Sequence, residues 1–208
     1  MDLLLPIGVV LASYLVGSLS FAVIVSRLMG LNDPRSYGSK NPGATNVLRS
    51  GNKKAAILTL LFDAVKGWAP VFAVLTFGPA YGLGVDVAAC AGLAAFLGHL
   101  YPVFFGFVGG KGVATAVGVL VGINGLLALA TVGTFAIVVY FSRYVSLASM
   151  VAAIFAPVYY LFGDGAAWQA SGAEVLCLAV MAVLLVWRHR ENINRLIAGN
   201  ESKLGAKK

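Results

Sequence analysis

The polar segment between residues 37 and 49 has the composition of a loop that can hold a phosphate, and it lies between two long apolar runs. Small residues leave room beside the backbone, so its N–H groups are expected to lie open to an anion. Pro42-Gly43 predicts a turn, Ala44 can begin a helix, and Thr45 can cap that helix. The segment joins small residues, amides and cations, namely Gly38, Ser39, Lys40, Asn41, Gly43, Ala44, Thr45, Asn46 and Arg49. The alternative is a basic loop that only turns the chain and contacts lipid headgroups.

A second glycine-rich segment, Gly109-Gly110-Lys111-Gly112, precedes another apolar run. It predicts a backbone that can approach an anion closely and that carries one ammonium group. It is not a nucleotide-binding P-loop, because Gly112 stands where that motif needs a hydroxyl to bind magnesium. Upstream, His99 is expected to be a packed, hydrogen-bonded histidine, with a general base as the alternative. Nothing nearby in the sequence supplies a partner that would orient it as a base.

Two opposite charges, Asp63 and Lys66, lie inside an apolar run at positions i and i+3. That spacing puts both side chains on one helix face and predicts an ion pair. Charges are costly in lipid, so the pair must face protein or water. We interpret it as a structural pair that supports the first loop, and a direct catalytic role is the alternative.

Two further polar groups stand beside basic residues near the ends of apolar runs. Ser146 and Ser149 are spaced i and i+3 at an expected helix start, where they can donate to a ligand or to the backbone one turn back. His189 and Asn192 are expected on one face of a basic helix. A positively charged stop signal is the alternative, but it explains only the arginines.

The composition indicates an integral membrane protein. Of the 208 residues, 60% are hydrophobic and 11% are charged, and the mean hydropathy is +0.89, which is more apolar surface than one small soluble core can hide. The net charge of +7 comes from basic residues at the ends of apolar runs. This pattern excludes a face that reads nucleic acid and favours anionic headgroups or substrates. Cys90 and Cys177 lack metal or disulfide spacing and are expected to be buried, reduced thiols.

Six apolar runs set the expected architecture, since a spanning helix needs about 20 residues. They cover residues 3–27, 55–77, 83–106, 112–141, 145–163 and 172–187. The run 112–141 is interrupted at Gly122-Ile-Asn-Gly125 and is expected to form two short helices. The first run is predicted to be a retained helix, because Met1-Asp2 gives it no basic leader region.

The basic residues set the expected orientation. The 27–54 loop and the tail after Val186 are rich in lysine and arginine and are predicted to be cytoplasmic, whereas the acidic connectors near 78–86 and 163–174 are predicted outside. We therefore expect an all-α, polytopic membrane helix bundle of about seven segments, with the N-terminus outside and the C-terminus in the cytoplasm. Residues 1–208 are expected to form one domain, since no hydrophilic stretch is long enough for another.

Three motifs, at residues 38–49, 98–115 and 188–196, carry a resemblance to a known family. Together, in this order and across nearly the whole chain, they resemble the PlsY type of acyl-phosphate:glycerol-3-phosphate acyltransferase. The resemblance implies a seven-helix enzyme of the bacterial inner membrane with a periplasmic N-terminus. It implies transfer of a fatty acyl group from acyl phosphate to the 1-hydroxyl of glycerol 3-phosphate, giving lysophosphatidic acid and phosphate, without direct use of acyl-CoA or acyl-carrier protein. Val108 departs from the pattern, because the family often has lysine there.

The resemblance also implies roles for the polar residues. Glycerol 3-phosphate would be clamped by Arg49 and Lys111, with Ser149 and His189 as further contacts. The acyl phosphate would be held by the first loop and the tail, through Ser39, Gly43, Ala44, Thr45 and Asn192. Further substrate contacts would come from Asn41, Asn46 and Gly110. Independently of the resemblance, Asp63, Lys66 and His99 are expected to be supporting positions behind the site. The expected catalytic residues are Ser39, Thr45, His189 and Asn192.

No cofactor or metal is expected, and the expected partners are the two substrates and membrane lipid, with no nucleic acid and a monomeric protein. An acyl phosphate is already activated and brings phosphate oxygens near the attacking hydroxyl, so we expect substrate-assisted proton transfer. The competing class is a carrier for a phosphorylated metabolite, which would be expected to show inverted repeats and a site at the midplane of the membrane. A non-catalytic lipid-binding scaffold is the third interpretation.

Overall fold

The protein is helical throughout the part that its computed structural model describes, residues 3–205. Over that range the chain forms ten α-helices and two short 3-10 turns, and it contains no β-sheet. The helices are α1 Leu4–Gly17, α2 Phe21–Leu28, α3 Ala44–Leu48, α4 Lys53–Phe77, α5 Val85–Leu100, α6 Val113–Ile123, α7 Gly125–Ser142, α8 Val145–Phe162, α9 Gly172–Arg188 and α10 Arg190–Ile197. The predicted all-α class is confirmed. The predictions that rest on Met1-Asp2 and on the charges of Lys207 and Lys208 lie outside the described residues.

Four helical stretches are long and apolar enough to cross a membrane, and two bent helix pairs raise the number to six for residues 3–205. The long stretches are Lys53–Tyr81, Val85–Phe105, Gly125–Ser142 and Val145–Phe162. The bent pairs are α1 with α2 and α9 with α10. The expected count of about seven segments is reached only when the shorter apolar helix α6 is added. These lengths and compositions are those of an integral membrane protein.

The first apolar run is not one helix. It bends by 43° between α1 and α2. At the break, Gly17 lies so close to α5 that an added Cβ would stand 2.1 Å from the carbonyl oxygen of Ala95. The break frees the carbonyl of Leu19, which accepts a hydrogen bond of 2.6 Å from Lys66 Nζ. The prediction of a continuous first helix is therefore wrong, because contacts with α4 and α5 interrupt it.

The run 112–141 is divided as predicted, but its second half is longer than expected. Asn124 is the N-cap of α7, where its Oδ1 accepts hydrogen bonds from the backbone N–H groups of Leu126 and Leu127. That helix continues for 18 residues. The expectation of a second short helix is wrong, since α7 alone is long enough to cross a membrane.

The chain separates into two compact units, of which the first ends at Ile123 and the second begins at Asn124. In the first, α4 packs against α5 and α6, and α1 packs against α5. In the second, α8 packs against α7 and α9. A small apolar cluster fixes α3 between α2 and α4, and it consists of Ala22, Val25, Val47, Ala55 and Ala56. One domain over residues 1–208 stays a prediction.

The two cysteines differ in exposure. Cys177 is a buried free thiol, as predicted. Cys90 is a free thiol on the exposed face of α5, so the expectation that it is buried is wrong. A small apolar side chain is tolerated on a lipid-facing helix surface, and hydropathy alone cannot tell that surface from the core.

Candidate active site

The buried side chain of Asn46 makes hydrogen bonds to several backbone groups of the first polar loop and of the residues just before it. Its side chain is 2% exposed. Nδ2 donates to the carbonyls of Pro34 at 2.6 Å and Tyr37 at 3.2 Å, and Oδ1 accepts from the Ser39 N–H at 3.0 Å. The amide is therefore engaged within the loop, where it fixes the backbone around Ser39. The predicted contact between Asn46 and substrate stays a prediction.

The helix start at Ala44 is confirmed, but the predicted turn at Pro42-Gly43 is wrong, because Gly43 is extended, with φ of −156° and ψ of 162°. The capping residue is not the predicted one either. Gly43 is the N-cap of α3, whereas Thr45 lies inside the helix and its exposed side chain does not cap it. The expectation of open N–H groups fails at Ser39, which donates to Asn46, and at Lys40, which donates to the Tyr37 carbonyl at 2.9 Å. Among residues 3–205, the N–H groups of Ala44 and Thr45 donate to no backbone acceptor, as is usual in a first helical turn.

Three predicted contact residues of the first loop point outward. The side chains of Ser39, Thr45 and Arg49 are all exposed, and Arg49 Nη1 lies 3.5 Å from Asn46 Oδ1. Lys40 holds a left-handed backbone conformation, with φ of 55°, which is costly for a residue with a side chain and is typical of functional loops. The loop thus presents two hydroxyls and two cations on one short, internally braced segment.

Gly110 joins the second loop to the first. Its N–H donates to the His99 carbonyl at 3.1 Å. A Cβ added at Gly110 would lie 2.2 Å from His99 Nε2 and 2.9 Å from the Pro42 carbonyl oxygen. Only glycine fits in this gap, so the two glycine-rich loops adjoin, and half-buried Lys111 follows directly. Val108 is 51% exposed, so a lysine in its place would reach solvent.

Asp33 and Arg35 form an ion pair just before the first loop. From the sequence, these two residues were considered only as charges of the 27–54 loop. Arg35 donates to both carboxylate oxygens of Asp33, with Nη2 2.7 Å from Oδ2 and Nε 3.0 Å from Oδ1. Its guanidinium also lies 6.0 Å from the centre of the Phe105 ring, in the short 3-10 turn that precedes the second loop. The hydrogen bonds from Arg35 lower the pKa of Asp33 below its ordinary value. The sequence Asp-Pro-Arg just before the first loop was the available signal.

The predicted ion pair of Asp63 and Lys66 is confirmed, with Nζ 2.8 Å from Oδ1 and both residues buried. His99 Nδ1 lies 3.6 Å from the same oxygen of Asp63. The structure thus places beside the His99 ring a carboxylate that nothing near His99 in the sequence supplied. The partner comes from another helix, so it is distant in the sequence.

The serines of α8 take different partners. Ser149 Oγ donates to the Val145 carbonyl at 2.8 Å, which is the backbone alternative foreseen for membrane helices. Ser146 Oγ donates to Glu201 Oε1 at 2.6 Å. A contact between Ser149 and substrate stays a prediction.

The basic tail is bent rather than continuous. Between α9 and α10 the chain turns by 54°, and His189 stands at the break. The His189 ring is buried, with Nδ1 2.8 Å from the Leu185 carbonyl oxygen. Asn192, one turn into the second helix, is also buried. His189 is therefore the N-cap of α10, and Asn192 lies inside that helix.

Glu201 accepts hydrogen bonds from several polar groups of the second unit. The sequence did not predict this role. Its Oε1 accepts from Asn192 Nδ2 at 2.6 Å as well as from Ser146, and Oε2 accepts from Arg195 Nε at 2.8 Å. Nearby, the tail and the start of α8 are joined by a hydrogen bond of 2.7 Å from the Leu204 N–H to the Arg143 carbonyl. This carboxylate holds Asn192 in place.

We expect Glu201→Gln to lower the melting midpoint of the purified protein by about 3–10 °C, because a charged acceptor of several hydrogen bonds is lost. The midpoint can be measured from the intrinsic tryptophan fluorescence of the protein during heating in detergent. Glu191→Gln is the matched control, since Glu191 is exposed on α10. Its midpoint should stay within about 1 °C of the unmodified protein, as for most surface substitutions.

The effect of Glu201→Gln should depend on pH. Burial alone would raise the pKa of Glu201, but hydrogen bonds from Ser146, Asn192 and Arg195 outweigh burial and hold the pKa below its ordinary 4.5. The charged form therefore stabilises the fold above the unfolded-state pKa, and this stabilisation is lost as pH falls through the lowered pKa. The midpoint difference between the two proteins should be constant from neutral pH down to about 4.5 and then shrink. A difference that grows in acid contradicts the network.

The first unit thus carries two adjoining glycine-rich loops with cations and a buried charge cluster, and the second unit carries a polar network at the basic tail. The helices that carry these features are long enough to cross a membrane. Together, fold and loops define an integral membrane protein equipped to bind an anionic ligand beside an apolar helix bundle.

The sequence profile of the family described as glycerol-3-phosphate acyltransferase matches residues 7–199. The chain belongs to this family, which confirms the resemblance carried by the three motifs. A relative of that description from Albidiferax ferrireducens is 64% identical over 97% of this chain and 90% of its own length. Another, from Bordetella pertussis, is 58% identical over 100% of this chain and 95% of its own.

Two crystal structures of PlsY, an integral membrane glycerol 3-phosphate acyltransferase, share the fold. Its glycerol 3-phosphate form superposes with a TM-score of 0.87 at 38% identity, covering 96% of this chain and 96% of that one. Its lysophosphatidic acid form superposes with a TM-score of 0.86, covering 96% and 95%. The expected helical membrane architecture is thus also that of a known acyltransferase.

Proposed function

We propose that this acyltransferase takes its acyl group from acyl phosphate and transfers it to the 1-hydroxyl of glycerol 3-phosphate, as the first step of phospholipid synthesis. The observation that carries the proposal is the contact of Gly110 with Pro42, which joins the loop of Lys111 to the loop of Arg49. Both substrates contain phosphate, so a site of adjoining glycine-rich cationic loops suits their chemistry.

The proposed roles follow the chemistry of each group. Arg49 and Lys111 neutralise glycerol 3-phosphate, with Ser149 and His189 as further contacts. The acyl phosphate is held by groups of the first loop and the tail, namely Ser39, Gly43, Ala44, Thr45 and Asn192. Asn41 and Asn46 are proposed as further substrate contacts. Gly110 provides the close backbone approach, and Ser39, Thr45, His189 and Asn192 are the proposed catalytic residues.

In the proposed reaction, the 1-hydroxyl oxygen attacks the acyl carbonyl carbon. The bond between that carbon and the phosphate oxygen breaks, and the hydroxyl proton passes to an oxygen of the departing phosphate. The products are lysophosphatidic acid and inorganic phosphate. The protein contributes proximity and charge stabilisation, so a strong side-chain base and a cofactor are unnecessary.

The proposed location is the bacterial inner membrane, with a periplasmic N-terminus, a cytoplasmic C-terminus and a site that faces the cytoplasm. The basic 27–54 loop and the basic tail support this orientation. The working form is proposed to be a monomer in contact with membrane lipid, because all the assigned groups belong to one chain.

The test is purified protein supplied with glycerol 3-phosphate and one acyl donor at a time. With acyl phosphate, we expect equal amounts of inorganic phosphate and lysophosphatidic acid; acyl-CoA and acyl-carrier protein should give none. Product from acyl-CoA alone contradicts the proposed donor. Uptake of labelled glycerol 3-phosphate into sealed vesicles, without acyl transfer, favours the carrier alternative instead.

A further inference from the structure

We propose that Asp63, Lys66 and His99 are positioning residues that hold the second loop, with Lys111, in the geometry that binds glycerol 3-phosphate. The inference rests on the proposed function of Lys111 as a phosphate-binding group. None of the three needs to touch substrate. Their effect passes through the His99 ring and backbone to Gly110, the residue before Lys111.

Lys66 connects the buried cluster to the helix break. Its Nζ lies 2.8 Å from Asp63 Oδ1 and donates to the Leu19 carbonyl at 2.6 Å, and it is 5.7 Å from the centre of the Phe21 ring. The ammonium group therefore connects α4 to the break between α1 and α2 and to the first residue of α2. This arrangement holds the Lys66 ammonium group beside the Asp63 carboxylate.

Asp63 connects the cluster to the second loop through His99. The carboxylate oxygen that contacts Lys66 is 3.6 Å from His99 Nδ1. On the opposite side of the ring, Nε2 faces Gly110 with no room for a Cβ, and the His99 carbonyl accepts the Gly110 N–H. The ring is thus held between a buried carboxylate and the backbone next to Lys111.

Stability alone does not explain this arrangement. A buried ion pair often stabilises a fold no better than apolar residues of the same volume, because desolvation offsets the attraction. Apolar residues would not orient an imidazole ring against Gly110. The pair therefore supplies position, and its loss should alter ligand affinity even where the fold is preserved.

The experiment compares ligand binding with stability in the full-length protein in detergent. Asp63→Asn and Lys66→Met each leave one buried charge unpaired and should lower the melting midpoint strongly. The double variant removes both charges and should recover most of the midpoint. Its Kd for glycerol 3-phosphate, measured by calorimetry without an acyl donor, should stay at least about tenfold weaker than that of the unmodified protein.

His99 variants provide an independent arm that keeps both charges. His99→Leu should bind glycerol 3-phosphate at least about tenfold more weakly, and His99→Asn, whose amide retains a donor near the Nδ1 position, should recover part of the loss. A purely structural defect lowers the active fraction and hence kcat, whereas a positioning defect raises Kd and KM for this one substrate. Recovery of both midpoint and Kd in the double variant, or unchanged Kd in His99→Leu, overturns the inference.

Failure of the proposed function can be distinguished from failure of this inference. If the unmodified protein binds glycerol 3-phosphate but does not use acyl phosphate, the proposed donor is wrong while the comparison of Kd values still decides the roles of Asp63, Lys66 and His99. If the unmodified protein binds no glycerol 3-phosphate, both the proposed function and the inference are overturned.

Discussion

Lys111→Ala is expected to lower kcat/KM for glycerol 3-phosphate by about 100- to 1000-fold, because one charge-assisted contact to phosphate in a half-buried loop is lost. Most of the loss should appear as a higher KM for glycerol 3-phosphate, with little change in KM for acyl phosphate. Initial rates of phosphate release, measured while each substrate is varied in turn, separate the two effects. Arg49→Ala should act on the same substrate in the same direction.

Lys54→Ala is the matched control for Lys111→Ala, because Lys54 is an exposed cation in the first turn of α4. It removes the same formal charge but should leave both KM values within about twofold, as expected for a screened surface charge. If Lys111→Ala raises only the KM for acyl phosphate, the proposed assignment of the two substrates to the two loops must be reversed. Near-normal activity of Lys111→Ala and Arg49→Ala together contradicts the site.

Gly110→Ala is expected to lower turnover by at least about 100-fold, because a displacement of roughly 1 Å in a binding loop is enough for such a loss. The added Cβ would lie 2.2 Å from His99 Nε2 and 2.9 Å from the Pro42 carbonyl. The ring has little room to withdraw, since Asp63 lies 3.6 Å from its other side. The two loops must therefore separate, and steady-state assays together with the melting midpoint measure the result.

Gly133→Ala is the control for this overpacking. A Cβ at Gly133, in α7, would meet no heavy atom within 4 Å among the described residues. Activity should be unchanged, and the midpoint should stay the same or rise slightly because alanine favours the helix. Wild-type turnover in Gly110→Ala would mean that the contact of the two loops does not matter for catalysis.

The sequence by itself determined the features that depend on local periodicity. Apolar runs of membrane length identified the spanning helices, because the bilayer fixes the number of apolar residues that a helix needs. The spacing of Asp63 and Lys66 predicted their ion pair, because residues three apart share a helix face. The interruption near Asn124 and the helix start at Ala44 were also local signals. The order of three motifs was enough to indicate the family.

Only the tertiary structure decided which distant residues meet. The bends before α2 and at His189 interrupt apolar or basic sequences that read as continuous, because neighbouring helices and buried hydrogen bonds outweigh local helix preference. The partners of His99 and Glu201 come from other elements, so spacing along the chain could not reveal them. The contact of Gly110 with Pro42 likewise depends on how α4, α5 and α6 pack. The sequence therefore supplied the two glycine-rich cationic loops, and packing in three dimensions brought them together.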